Sequence, residues 1–393
     1  MSELKVNKVT PRSGTTVTLG DSGDNVAIPT GVSFNGYGYR NIIINGDMSI
    51  AQRGTSATGL GDGDSGYYTC DRWRFSESGA PTYVFTQTQD TDVPTGQGFA
   101  TSLKMDCTTA QGSLAAADVL RIEQRVEGQN LQYLKKGTSS AESLTVSFWV
   151  KSNKTGTYTC EIFDNDNNRQ NSKTYTIDSA NTWEKKIITY DGDTTGAFDN
   201  NNGTSFLISF FLGAGTEWTS GTFSNGTWNS STNANRVSSS QVNLADNTAN
   251  NFWITGIQLE AGTTASDFEF LPVDVNLNRC LRYYQIVGQG GNFSGSGGMI
   301  TNGAAYSSST AYGVLAFLTE MRTAPSLDQT TGTNYFRFQS NSTVYRFDSF
   351  SSASAGTRKT RINNGDSITA SAGNAGWFGT DNAAAELALN AEL

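Results

Sequence analysis

Residues 144–177, LTVSFWVKSNKTGTYTCEIFDNDNNRQNSKTYTI, read as three strands joined by two turns. In LTVSFWVKS (144–152), Leu144, Val146, Phe148 and Val150 recur at every second position, the period of a half-buried antiparallel strand. TYTCEIFD (157–164) and KTYTI (173–177) follow, and the spacers between them are Asn, Asp, Ser, Lys, Thr and Gly, which turn a chain cheaply. The same grammar runs outward on both sides. NIIING (41–46), RWRFS (72–76), YVFTQTQ (83–89) and SLKMDC (102–107) precede it; WEKKIITY (183–190), FLISFFLG (206–213) and FWITGIQLE (252–260) follow. Strands at this spacing, with such turns, predict one large jelly-roll β-sandwich over residues 39–272. LRIEQRVEGQNLQYLKKG (120–137) predicts a strand, RIEQRVE, and then a short helix, QNLQYLKK.

Three further segments complete an all-β organisation. Residues 1–38 alternate Thr16 and Thr18 with Val17 and Leu19, turn at Gly-Asp-Ser-Gly-Asp, and resume at Val26 and Ile28. Strands this few cannot bury their own apolar face, so the expectation is an intertwined shaft shared among copies of the chain, against the alternative of a loose tail. Residues 273–298 are expected to hold a connector helix, on the spacing of Val275, Cys280, Leu281 and Tyr284, followed by the glycine-rich loop GQGGNFSGSGG. Residues 299–393 predict a smaller β domain, with strands at VLAFLTE (314–320), YFRFQS (335–340), VYRFDSF (344–350), DSITASA (366–372) and the terminal AELALNAEL.

Composition narrows the function classes. The 393 residues are 36% hydrophobic, 16% charged and 11% aromatic, so the chain has the aromatics to fill cores that disordered chains lack. The net charge is −9 and no basic run offsets it, which argues against nucleic-acid partners and against anionic membrane surfaces. The N-terminal MSELKVNKVTPRSG carries no apolar stretch, and nothing approaches a membrane span. The expectation is a protein made in a bacterial cytoplasm and released by lysis. Cys70, Cys107, Cys160 and Cys280 lie far apart without a CxxC pair, so buried free thiols are expected rather than a disulfide framework or a zinc site.

The chain has no histidine, which removes Ser-His-Asp and Cys-His catalysis and most transition-metal sites. No GxSxG, P-loop or dinucleotide fingerprint is present. A carboxylate pair could still cut polysaccharide, but Asp62, Asp64, Asp191, Asp193 and Asp199 fall in turns, and the expectation is no enzyme. DNDNNR (164–169) begins like a calcium loop, yet Arg169 and Tyr175 stand where that loop needs Gly and Glu, so a hairpin turn is expected. No cofactor is expected; Asp47 and Glu260 are the candidate ligands should a structural calcium ion sit at the sandwich edge. Aromatics among small polar residues are the candidate glycan contacts, because sugar CH faces pack on such rings. These are Trp218 and Trp228, with Phe223 between them, and Tyr306, Tyr312 and Trp377 in the last domain; covering the end of the sandwich is the competing role for the tryptophans.

NIIINGDMSIAQRG, DRWRF, VSFWVKS, WITGIQLEAGTTASDFEF and NRCLRYYQ together resemble the landmarks of fibre and appendage proteins of tailed, often marine, bacteriophages. Residues 41–272 are similar to a carbohydrate-binding-module-like jelly roll, and LKVNKVTPRSGTTVTLGDSGDNVAIPTGVSF resembles an attachment and shaft segment; the resemblance covers roughly 1–285. It implies a homotrimer on the virion, bound through its N-terminal segment to other tail or capsid proteins, with the C-terminal domain facing outward. The function implied is a tail fibre or receptor-binding protein for host surface polysaccharide. The alternatives are a head-decorating fibre or tail adaptor, and a polysaccharide-degrading tailspike. No catalytic residue is carried over.

Overall fold

Phe148 meets Phe210 edge to face, with ring centroids 4.9 Å apart, and this contact joins two sheets. The first has six strands, in the order Ser56–Leu60, Val84–Asp90, Ser102–Thr109, Asn251–Ala261, Leu144–Ser152 and Glu184–Tyr190. The second has seven: Asn229–Ser230, Arg169–Ile177, Gly156–Asp164, Thr204–Ala214, Val119–Glu127, Arg74–Ser78 and Gly66–Tyr67. The computed structural model describes residues 39–290, 298–353 and 355–393, so the expected shaft at 1–38 lies outside the described residues. Successive strands from Ser102–Thr109 through Gly156–Asp164 pass back and forth between the two sheets, in a jelly-roll sandwich. Val146, Phe148, Tyr158, Tyr175, Phe210, Phe252 and Trp73 fill the space between them.

The expected NIIING strand does not form. Asn45 and Met48 take positive φ, and residues 41–50 run as an irregular plug. Its backbone meets the Asn251–Ala261 strand at two points, Ile42 donating to the Leu259 carbonyl and Gly46 accepting from the Ile257 amide at 2.9 Å each, and side chains satisfy much of the rest. Gln124, from the core side of its strand, accepts from the Ile44 amide at 2.8 Å and donates to the Ile44 carbonyl at 2.8 Å. Asn45 donates to the carbonyls of Ile50 and Asp71, and the Trp73 indole donates to the Asn45 carbonyl at 3.0 Å. DNDNNR is a hairpin turn, as expected, between Gly156–Asp164 and Arg169–Ile177. QNLQYLKK forms two short 3-10 turns, Gly128–Asn130 and Gln132–Leu134. All four cysteines are buried free thiols.

The helix Val273–Leu281 matches the connector, but the Tyr284–Gln289 strand that follows belongs to the C-terminal module. It pairs with Glu386–Asn390, which also pairs with Ser326–Thr330. A second seven-stranded sheet lies beside this one, in the order Thr343–Phe347, Phe336–Ser340, Ala375–Thr380, Met299–Ala305, Ala311–Ala316, Lys359–Asn364 and Phe350–Ala353. DSITASA stays outside the strands, its backbone tied to Ser308 and Ser309. Phe336, Phe338, Phe347, Phe350 and Phe378 pack with Leu387 and Leu389 between the two sheets. Gly303 is needed there, since a Cβ would come within 2.8 Å of the Phe378 ring.

Arg40–Leu393 form one compact unit, and its joint is polar. Arg72, fully buried, stacks 3.6 Å from the Tyr283 ring centroid, pairs with Glu392 and donates to the Arg125 carbonyl at 2.7 Å. Beside it Glu127 takes two hydrogen bonds from Arg282, each 2.7 Å, and one from the Tyr283 hydroxyl. Burial, the largest influence on Glu127, pushes its carboxyl up, but these donors hold it below the ordinary value.

Replacing the buried Gln124 with Leu keeps the volume and strips the part-buried Ile44 N–H and C=O of their partner. Urea unfolding should show a loss of about 2 kcal/mol; an unchanged midpoint would mean that the plug does not depend on Gln124.

Candidate functional site

The five aromatics singled out from the sequence divide into three groups. Trp218 is only 8% exposed; it packs with Val119, Phe211 and Val237, and its indole donates to the Ala117 carbonyl. It roofs the outer side of the sandwich and presents no free face, because the short helix Thr216–Thr219 turns the ring down onto Phe211. Trp228 is half-buried, donates to the Asp191 carbonyl at 2.8 Å, and lines a shallow cleft with Leu134, Leu144, Phe198 and Phe206. The cleft encloses about 250 Å³ of empty space open to solvent.

Its floor is a lysine in an oxygen cage. The Lys136 ammonium lies 2.5 Å from Asp164 and 3.0 Å from Asp193, and donates to the carbonyls of Thr195 and Gly196 at 2.8 Å each. Arg169 holds Asp193 from the other side through both carboxylate oxygens. Burial, the largest influence, pushes Asp193 up, but hydrogen bonds from Arg169 and Lys136 outweigh it and hold the carboxyl below its ordinary value. The acidic turn thus holds a built-in cation. Asp47 accepts from Ser49 and Asn276, and Glu260 accepts from Gln258 and Ser266. These two calcium candidates belong to separate networks, and among the described residues no cluster of three metal-ligating side chains occurs.

The outer face of the six-stranded sheet carries a constellation that the sequence reading passed over. Lys104, Trp253 and Lys151 are neighbours in register, and Trp183 flanks them. Lys151 sits 4.2 Å from the Trp253 ring centroid and 5.4 Å from that of Trp183; Lys104 sits 5.2 Å from Trp253. Asp90 accepts from the Trp253 indole, and Asp92 from the Trp183 indole and from Lys151. Period two was the available signal: with Val146, Phe148 and Val150 inward, Trp149 and Lys151 must face out. Trp183 and Trp253 are both half-buried, Lys151 lies over both rings, and each of these two indole N–H groups has a partner.

The C-terminal sheet differs in carrying a freely exposed ring, Tyr306. Asn302 pairs with Trp377 and Ala304 with Tyr312, so Tyr312 and Trp377 stand on the same outer face, two strands apart. Two strand spacings and a two-residue offset put their Cα atoms roughly 12 Å apart. The floor between them is Ala304, Ala375 and Asn302. Tyr306 stacks on Tyr312, with centroids 4.7 Å apart and planes 28° apart, and is itself 71% exposed. Arg361 lies 4.4 Å from the Tyr312 centroid. The Tyr306–Thr310 turn is fixed by the Tyr306 amide donating to the Thr310 carbonyl and by Asn364 donating to the Ser309 carbonyl. Trp377 lies across Gly379, where a Cβ would come within 2.6 Å of the ring, and Arg337 rests 4.7 Å from its centroid. Three of the five expected residues therefore share one solvent-facing surface, with ring orientations set before any ligand arrives.

No protein-family model matches the chain, and no curated protein matches it in sequence. Among solved structures it is similar to the enzymatically active domain of bacteriophage CBA120 tailspike protein 4, with 16% identity over 56% of this chain and a TM-score of 0.31. That match spans 21% of the tailspike chain. It is also similar to a family 11 carbohydrate-binding module of Clostridium thermocellum in complex with a mixed-linked tetrasaccharide, with 10% identity, 54% of this chain, 98% of that one and a TM-score of 0.26. A third is a family 61 module, TmCBM61, with β-1,4-galactotriose: 10% identity, 57% of this chain, 99% of that one and a TM-score of 0.23. At these scores the likenesses carry nothing about this chain's ligand.

Lys136→Met leaves the fully buried Asp164 without its cation and Asp193 with Arg169 alone, and should cost about 3–5 kcal/mol at pH 7. Asp193 contributes stability above its unfolded value of 3.8 and loses it as pH falls through its lower folded value. The difference between variant and parent in urea unfolding should therefore narrow at pH 3. An equal difference at both pH values would contradict this account of the cage.

Proposed function

We propose that this chain is a non-enzymatic virion protein of a tailed bacteriophage, a fibre that attaches the particle to host surface glycans through the outer face of its C-terminal sheet. The observation that carries the reading is the Tyr306–Tyr312 stack, held open to solvent on the same face as Trp377. A rigid aromatic offers a large apolar area with little entropy to lose, and Asn302, Asn363 and Gln339 stand at outward positions beside the rings for sugar hydroxyls. Weak single sites suit a fibre, because several copies on one axis multiply affinity without new contacts. The landmark motifs support the assignment to a virion and to a homotrimer made in the host cytoplasm, with residues 1–38 towards the particle.

The non-enzymatic reading has its own support. Cutting a glycosidic bond takes two carboxyl groups across the substrate, one of them kept protonated. None of the seven strands of this sheet contains an Asp or Glu. On the sandwich, Glu123 is fully buried among Arg74, Arg121 and Arg125 and is held below its ordinary value; burial, the largest influence, acts the other way and is outweighed.

Tyr306→Ala should weaken retention of the purified protein on host cells about tenfold, since loss of one stacked ring is worth on the order of 1 kcal/mol or more. The same variant should compete poorly with particle adsorption and keep its melting temperature, because Tyr306 is exposed. Undiminished retention by both Tyr306→Ala and Trp377→Ala would move the binding surface elsewhere.

A further inference from the structure

We infer that the glycan taken by this face is an anionic polysaccharide, with charge borne as carboxylate or sulfate, an inference that rests on the glycan-binding reading above. The chain carries a net charge of −9, yet the seven strands of the C-terminal sheet hold Arg337, Arg346, Lys359 and Arg361 and no acidic residue. Strand register puts all of these cations on the outer side. Arg337 lies opposite Gly379 and Arg346, while Arg361 and Lys359 lie opposite Val314 and Ala316. The alternate positions, Phe336, Phe338, Ile362 and Phe378, point into the core. A pleated strand cannot turn one set outward without the other turning in.

Their pairing is uneven. Asp381, just past the end of its strand, binds Arg337 and Arg346. Lys359 and Arg361 have no carboxylate partner among the described residues. Lys359 is exposed, and Arg361 spends its guanidinium face on Tyr312. On an otherwise acidic protein, these two cations, next to the Tyr306–Tyr312 stack, would repel few anionic ligands and attract those whose charge falls within several ångströms of the stacked ring. The sandwich face with Trp183 and Trp253 differs on this point, since Lys151 and Lys104 are paired with Asp92 and Asp106. Single-stranded nucleic acid also joins negative charge to flat rings. The face favours a sugar chain, because the surface beside the cations is Asn302, Asn363, Ser351 and Gln339, groups suited to hydroxyls.

The test is retention of the full chain on immobilised polygalacturonate, λ-carrageenan and agarose, at low and high salt, with single-stranded DNA as competitor. Expected is binding to one or both charged polymers at least about tenfold stronger than to agarose, falling several-fold as salt screens the contact. Lys359→Gln and the double variant Lys359→Gln/Arg361→Gln should lose most of it, while Lys185→Gln, on the other sheet, should not. Polygalacturonate alone would identify the charge as carboxylate, carrageenan alone as sulfate. Equal binding to agarose and carrageenan, or binding indifferent to salt and to both variants, overturns the inference and leaves glycan binding standing. The inference also falls if DNA displaces the polymers through the same residues, or if host cells retain the protein through Tyr306 while none of the polymers binds. Failure of host-cell retention itself would count against the function, not only against the ligand's charge.

Discussion

A guanidinium buried between modules decides how this chain is assembled. Arg72 sits in the DRWRF landmark of the sandwich, and its partners come from far along the sequence: the Tyr283 ring beneath it and Glu392 beside it. An unpaired buried charge costs several kcal/mol, so the sandwich can bury Arg72 only when the Tyr283 segment and the residues around Glu392 are in place. Arg53 repeats the arrangement over Tyr284, 3.5 Å from its centroid. Arg322 closes the joint by donating to the carbonyls of Ala391 and Glu392. The landmarks NIIINGDMSIAQRG, DRWRF and NRCLRYYQ therefore meet at one joint and act as structure. Their chemistry, Asn, Arg and Tyr rather than Val and Leu, is that of a specific interlock.

Such an interlock bears on what the C-terminal face can do. A surface that binds weakly and repeatedly gains from being held rigidly on its carrier, because freedom at the joint would be lost on each engagement. The polar joint fixes the C-terminal module against the sandwich, and the Phe378 core beneath Gly303 fixes the sheet that displays Tyr306, Tyr312 and Trp377. Burial also removes competing chemistry. The Cys107 thiol is pushed up to about 11 and that of Cys160 to about 12, so neither is a reactive thiolate at neutral pH.

The sandwich was legible wherever the signal was local. Period-two alternation in 144–177 marks the strands and the turns between them, and DNDNNR reads as a hairpin turn because the calcium pattern fails at Arg169 and Tyr175. What the sequence hides is pairing at a distance. NIIING looks like a strand, but its partners are the side-chain amide of Gln124, 80 residues away from Ile44, and isolated backbone bonds that join Ile42 and Gly46 to the Asn251–Ala261 strand. Tyr284–Gln289 looks like part of a connector until Glu386–Asn390 arrives beside it. Trp218 and Trp228 share a polar setting in sequence, yet one is turned onto Phe211 and the other onto a cleft, a difference made by tertiary packing. Tyr306, Tyr312 and Trp377 were recognisable by type, and their common face follows only from the register between strands.

Oxidative footprinting of Tyr and Trp side chains, with and without polysaccharide from the host envelope, tests the central claim most directly. The account requires Tyr306 and Trp377 to be protected when the polysaccharide is present, with Trp183 and Trp253 unchanged. Protection of Trp149, Trp183 and Trp253, with Tyr306 as reactive as in the free protein, would place the binding surface on the sandwich and contradict it.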